Sequence, residues 1–245
     1  MKNRKVFVLL WGPSGCGKDY FVKNLSLPAC KGDIQFTKPI LFTDRPMRAN
    51  ERQKEPYIFC TNNSDNFSQN MPLFDDYMDK CRKDGTLLSI TTYDVVGGTF
   101  RYGAKLDIDK PNHIIMAASF FQVLDIFKWR FENRTKPGVS DVVIYPLFID
   151  TDITSRLCKL IEREAKKNEA DRNYEEILRR YIYSDNTDYN IYAKTVVDSL
   201  KDKLFIEMDI RNDECIFTVS NSYDGKSYDK VKNIVYSGID SICNK

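Results

Sequence analysis

Apolar positions fall in two rhythms along this chain, and each predicts an element. The continuous run Val6-Phe7-Val8-Leu9-Leu10-Trp11 is apolar at every position, the pattern of a strand covered on both faces. Two later runs have the same character, His113-Ile114-Ile115-Met116-Ala117-Ala118 and Asp141 to Ile149. Both predict further parallel core strands, and Ile216 to Asn221 predicts a final one. Mixed periodicity marks helices beginning at Tyr20-Phe21-Val22, extending from about Asp152 to Tyr183, and running from Lys226 to Ile242. Tyr192 to Asn212 reads as a helix followed by the strand Phe205 to Ile210, with a hairpin at Asn212-Asp213. Arg134 to Gly138 reads as a loop between core elements. Alternating strands and helices predict an α/β class: a three-layer α/β/α domain with a mostly parallel sheet of about five strands.

The glycine-rich segment after the first strand changes the picture most. Gly12-Pro13-Ser14-Gly15-Cys16-Gly17-Lys18-Asp19 fits the phosphate-loop pattern at every position but the last, between a predicted strand and a predicted helix. Glycines let successive backbone N–H groups turn toward one anion, and the helix N-terminus adds positive potential. Lys18 would add a point charge at the β- and γ-phosphates. Asp19 stands where a Ser or Thr normally meets Mg²⁺. A carboxylate is a hard oxygen ligand for that ion, but Asp is also a favoured helix cap. Both readings of Asp19 stay open.

Composition narrows the classes. The chain has 245 residues, 42% hydrophobic and 29% charged, which suits one large α/β domain. A formal net charge of +2 gives no electrostatic case for a nucleic-acid partner. No apolar run approaches the roughly 20 residues of a membrane span, so no membrane partner is expected. The basic start Met1-Lys2-Asn3-Arg4-Lys5 leads into a strand rather than a signal peptide. Seven scattered cysteines without a Cys-x-x-Cys pair point to free thiols in a cytoplasmic setting. Among them, Cys16 fits the loop as a small side chain, with oxidative modification as the alternative reading.

A second constellation follows. Arg45 and Arg48, then Tyr57, then Tyr102 beside Gly103, supply planar guanidinium forks and phenol donors suited to an anion. Alone, such residues usually mean a solvated basic loop.

Read together, these segments resemble the guanylate kinase family. Its order is a Gly-Pro-Ser-Gly-x-Gly-Lys loop, a Thr-Thr-Arg-x-x-Arg-x-Gly-Glu segment with Tyr-x-Phe, and then Tyr-Gly. This chain offers Gly12 to Lys18, Thr43-Asp44-Arg45 with Arg48 and Glu51, Tyr57 with Phe59, and Tyr102-Gly103. The resemblance implies that Arg45, Arg48, Tyr57 and Tyr102 hold the acceptor phosphate while Glu51 orients the arginines. It implies an acceptor-binding insert over residues 40–105 and a helical lid over 161–185 on a core of 1–39, 106–160 and 186–245. Lid arginines would reach the transferred phosphate, with Arg163 and Arg180 the best matches and Arg172 and Arg179 as rivals. Asn221, ending the last strand, would meet the adenine. The Gly-Lys-Asp ending is similar to that of some phage deoxynucleotide kinases and animal-type phosphomevalonate kinases.

The guanine-reading positions of that family depart here. Leu41 and Ala104 replace hydroxyl residues, the next core strand, His113 to Ala118, lacks an acid, and Asp94, one residue out of register, is the stand-in for an upstream acid. The resemblance thus implies an ATP- and Mg²⁺-dependent nucleoside monophosphate kinase, monomer or homodimer, whose acceptor base is not plain guanine or is loosely selected. A P-loop kinase of another phosphorylated small molecule and a non-catalytic guanylate-kinase-like binding module remain alternatives. The single histidine, His113, reads as structural.

Overall fold

A computed structural model describes residues 4–27, 34–47, 51–55, 57–62, 71–95, 98–107, 112–180, 217–221, 223 and 225–244. Arg48, the segment read as a helix and strand within 192–212, and the hairpin at 212–213 lie outside the described residues.

Strand β1 (Lys5–Trp11) is the central strand of a five-stranded parallel sheet ordered β2-β7-β1-β8-β9. Its partners are β2 (Phe36–Thr37), β7 (His113–Ala118), β8 (Val142–Asp150) and β9 (Phe217–Ser220). The unbroken apolar run of β1 has a direct cause. Phe7, Leu9 and Trp11 enter one core cluster, whereas Val6, Val8 and Leu10 enter another on the opposite face. Helix α3 (Phe120–Glu132) covers the first face through Val123, Ile126, Phe127 and Trp129. Helices α1 (Lys18–Leu25) and α6 (Gly225–Cys243) cover the second through Phe21, Val22, Val231 and Val235. The three-layer α/β architecture expected from the sequence is the one observed.

A second, four-stranded sheet is ordered β4-β3-β6-β5. It consists of β3 (Ile40–Thr43), β4 (Tyr57–Phe59), β5 (Leu87–Val95) and β6 (Gly98–Lys105). Helix α2 (Phe74–Lys83) packs on one face, where Phe42, Phe74, Tyr77 and Ile90 form a third apolar cluster. Gly103 makes that cluster possible, because a Cβ there would lie 2.1 Å from the Phe42 ring.

The long helix expected from about 152 to 183 is broken. Helix α4 (Ile153–Ala165) ends, a 3₁₀ turn spans Glu169–Asp171, and α5 (Tyr174–Arg180) begins anew. Asn173 explains the restart, since its Oδ1 accepts the Glu176 N–H at 2.9 Å as a helix cap. Glu164 pins the corner: its Oε1 accepts the Asn173 N–H at 2.5 Å and the Lys167 ammonium at 2.8 Å.

Candidate functional site

Parallel strands put the ends of β1, β8 and β9 on one edge of the sheet, where the glycine loop joins β1 to α1. Gly12 has φ 148°, and a Cβ on it would lie 2.6 Å from the Ile149 carbonyl. Gly17 caps α1 with φ 96°, and its Cβ would lie 2.7 Å from Asn221 Nδ2. Both positions therefore demand glycine on conformational and steric grounds. Because Gly17 is the cap, Asp19 sits exposed within the first helical turn and is not the capping residue.

Each carbonyl from Gly12 to Gly17 has a donor. Lys18 Nζ donates to Gly12 O at 2.7 Å and to Pro13 O at 3.0 Å. Arg156 Nη1 donates to Ser14 O at 3.3 Å. The Tyr223 hydroxyl donates to Gly15 O. Cys16 O accepts Asn221 Nδ2 at 2.9 Å and the Thr151 hydroxyl at 3.4 Å. Gly17 O accepts the Phe21 N–H at 3.1 Å, the first bond of α1. In a trans peptide the C=O and the following N–H point opposite ways. Holding the Ser14 and Cys16 carbonyls on Arg156 and Asn221 therefore turns the Gly15 and Gly17 amides the other way, beside the orphan N–H groups of the helix start. The result is a concavity that favours an anion.

Three of these braces were not among the residues singled out in the sequence. Arg156 is buried at the start of α4, with Nε also donating to Thr151 O at 3.1 Å. Thr151 follows β8 and Tyr223 follows β9, so the turn after each strand reaches the loop. Tyr223 holds φ 57°, uncommon for a bulky residue. Burial, followed by the nearby Cys16, pushes its phenol up to about 12, so it stays protonated and donates. Asn221 is buried and spends its side chain on this brace, since Oδ1 also accepts the Tyr223 N–H at 3.0 Å. Cys16 is buried in the core, and burial raises its thiol pKa, which does not favour a reactive thiolate.

The second constellation gathers on the face of the four-stranded sheet opposite α2. Strand register places Tyr57, Leu41, Ala104 and Ser89 in one row across the four strands. Phe59, Thr43, Tyr102 and Thr91 form the next row. Residues directly opposite one another share a face. The Tyr57 and Tyr102 rings lie 5.8 Å apart, and the Tyr102 and Tyr93 rings 5.4 Å apart.

Arg45 stands just beyond β3 and is 7% exposed. Its Nη2 donates to both Glu51 oxygens at 2.7 and 2.9 Å, and Nη1 donates to Pro46 O at 2.8 Å. The guanidinium carbon is 6.0 Å from the Tyr57 ring centre and 5.4 Å from that of Phe59. Burial works against its charge, but Glu51 and then Tyr102 outweigh burial and raise the pKa. Glu51 thus fixes the cation while leaving Nε outside these bonds.

Asp44 is a further organiser, and its side chain is 3% exposed. It accepts Arg101 N–H at 2.6 Å, Arg101 Nε at 2.7 Å and Asn62 Nδ2 at 3.0 Å. Arg101 also meets Asp75 at 2.6 Å and stacks 4.2 Å from the Phe74 ring centre. Burial would raise the Asp44 pKa, but the bonds from Arg101 and Asn62 bring it below the usual range. The network ties the end of β3 to β6 and α2, immediately before Arg45. Its sequence signal was an acid inside one motif and a base beside the other.

Burial chiefly raises the Tyr57 phenol pKa, Tyr102 adds to it and Arg45 opposes it. The Asp19 carboxylate adds a further, smaller rise, so the first turn of α1 lies within electrostatic reach of Tyr57.

Other expected residues lie apart. Asp94 is exposed near the β5–β6 turn and accepts the Thr99 hydroxyl at 2.6 Å. The register pairs Asp94 with Thr99, near the turn. Arg163 is exposed on α4, and Arg172 donates to Lys167 O at 3.2 Å. Arg180 ends α5, and the side chains of Arg179 and Arg180 lie outside the described residues. No cluster of three or more His, Cys, Asp or Glu side chains suited to a metal occurs among the described residues. No helix among them is long and apolar enough to cross a membrane.

No protein-family model and no curated protein matches this sequence. Among solved structures, the chain is similar to a guanylate kinase from Anaplasma phagocytophilum at TM-score 0.45 and 13% identity, over 97% of this chain and 87% of that one.

Proposed function

We propose that this chain is a nucleoside monophosphate kinase that transfers the γ-phosphoryl group of ATP to an acceptor phosphate. The observation that carries this reading is that one fold holds both a glycine loop with every carbonyl braced and an Arg45–Tyr57–Tyr102 group whose guanidinium Glu51 orients. One pocket suits the donor's phosphates and the other a second phosphate, which is what in-line transfer between two phosphates requires.

In this reading, loop amides from 14 to 19 cradle the β- and γ-phosphates. Lys18 exchanges a carbonyl bond for a phosphate oxygen. Arg45, oriented by Glu51, grips the acceptor phosphate with Tyr57 and Tyr102, and Arg48 joins them. Arg163 and Arg180 lie in the lid, residues 161–185, which excludes water on closing. Asn221 and Tyr223 hold the loop in its binding shape.

The donor set fits Mg²⁺, which takes few protein carboxylates together with phosphate oxygens. Asp19, an exposed carboxylate beside the loop, would hold the ion. The chemistry such an ion would supply is neutralisation of phosphate charge.

A coupled assay of ADP formation over ribo- and deoxyribonucleoside monophosphates tests the proposal. Activity with at least one of them, dependent on Mg²⁺, is expected. ATP turnover only with acceptors lacking a nucleoside would reassign the chain to another class of phosphate acceptor. Failure to bind ATP–Mg²⁺ by calorimetry would leave a binding module.

A further inference from the structure

We infer that helix α4 couples the phosphate loop to α5, with Arg156 as the positioning residue through which a nucleotide in the loop steadies the lid. The inference rests on the kinase reading above. The buried stripe of α4 is Arg156, Leu160 and Glu164, four residues apart on one face. Such a stripe is normally apolar. Here its two ends are charged, yet only 6% and 3% exposed. Charged side chains are buried only where partners hold them. The partners of these two belong to different parts of the site.

Arg156 serves the loop. Its Nη1 donates to Ser14 O at 3.3 Å and its Nε to Thr151 O at 3.1 Å. Leu160 packs beside it: a Cβ on Gly15 would lie 3.1 Å from Leu160 Cγ and 3.3 Å from the Arg156 carbonyl oxygen. Tyr223 joins the same contact, since its hydroxyl donates to Gly15 O and its ring centre lies 5.9 Å from Lys159 Nζ on α4. A loop tip packed this closely cannot shift without moving the helix, because close-packed groups transmit displacement.

Glu164 serves the other end. It fixes the corner through Lys167 and the Asn173 N–H, and Asn173 caps α5. Between the two locks α4 is continuous and holds neither glycine nor proline, so it has no kink site. The rise from 156 to 164, at about 1.5 Å per residue, separates the locks by about 12 Å. Helix α5 is the weakly held partner. Among its described side chains Ile177 alone is buried, while Tyr174 and Leu178 are exposed. Short elements with few buried contacts open locally at low cost. A phosphate that draws the loop amides toward itself loads Arg156 and Leu160, and α4 carries the change to the opening of α5.

Hydrogen-exchange mass spectrometry on the full chain, with and without ADP and Mg²⁺, tests this. ADP fills the loop but lacks the phosphoryl group that Arg163 and Arg180 would reach. In the wild type, ADP should slow exchange of the α5 amides by about fivefold or more, the lower end of ordinary coupling between sites. A double variant, Arg163→Ala with Arg180→Ala, should keep that slowing, because it travels through α4 and not by direct contact. Arg156→Met keeps the stem and removes the donors. It should still bind ADP by calorimetry, exchange like the wild type at α5 without ADP, and lose the slowing with it. Arg156→Lys keeps a donor for Ser14 O and should recover part of the effect.

An ADP-bound wild type with α5 exchange unmoved overturns the inference and leaves the kinase reading standing. Slowing that survives in Arg156→Met, or that vanishes in the double lid variant, overturns it too. So does faster α5 exchange in ADP-free Arg156→Met, which would make Arg156 a structural support alone. Should Arg156→Met fail to fold, the wild type, Arg156→Lys and the lid variant still decide. If the wild type binds no ADP–Mg²⁺, the kinase reading fails and takes this inference with it.

Discussion

The side-chain amide of Asn221 donates a 2.9 Å hydrogen bond to the carbonyl of Cys16. That bond joins the end of β9 to the middle of the glycine loop, and the same side chain accepts the Tyr223 N–H. Asn221→Ala should therefore cost about 1–3 kcal/mol of stability, the usual range for orphaning buried partners. ATP affinity should fall with it, because the Cys16 carbonyl loses the shorter of its two braces and keeps only the 3.4 Å bond from Thr151. Denaturant unfolding and calorimetry on the same variant check both. A residue acting only on bound adenine would leave unfolding of the ligand-free protein unmoved.

Arg45→Ala should lower kcat/KM for the acceptor by about 2–4 kcal/mol equivalent, the scale of truncating one member of a buried charged pair. Glu51→Gln keeps the shape but removes the charge that steadies the guanidinium, so it should raise acceptor KM with little change in ATP KM. Steady-state kinetics with each substrate varied in turn decides. An equal rise in both KM values would mean that Glu51 supports the whole fold and not the clamp.

Gly103→Ala should destabilise the protein by about 1–3 kcal/mol, the range for overpacking a filled core. The added methyl meets the Phe42 ring, which cannot retreat because Phe74 and Tyr77 pack against it. Phe42→Leu in the same chain should recover part of the loss. Thermal melts of the single and double variants measure the coupling, and additive losses would count against the contact.

His113 accepts the Val6 N–H on Nδ1 at 3.1 Å, so the bond exists only while that nitrogen is unprotonated. Burial lowers its pKa, with Asp240 opposing. The unfolded imidazole titrates near pH 6.5 (about). Below that pH the unfolded state binds the proton more readily, so this contribution is complete above it and is lost as pH falls toward the folded value. Stability should decline from about pH 6.5 downward, and His113→Gln should flatten that slope. As the chain has one histidine, its imidazole NMR titration reads the folded pKa directly. A midpoint at or above the unfolded value would contradict the burial argument.

The sequence by itself determined the core strands and the glycine loop. Both are written in contiguous residues: six apolar positions in a row require cover on two faces, and Gly12 and Gly17 stand where no side chain fits. Pairing between distant segments was not legible, because nothing local encodes it. The family resemblance offered Asp94 as the stand-in for a base-reading acid, whereas the hairpin register pairs Asp94 with Thr99 and sets Thr91 and Ser89 opposite Tyr102 and Ala104. Arg156, Thr151 and Tyr223 act on the loop from the ends of other elements, so only the packed sheet brought them to its carbonyls. The break at Asn173 turned on a competition between continuing a helix and capping a new one, which the buried Glu164 corner resolves through its bond to the Asn173 N–H. Local chain chemistry thus selected the elements. Tertiary contact, through strand register and the carbonyl braces, decided which side chains meet in the candidate site.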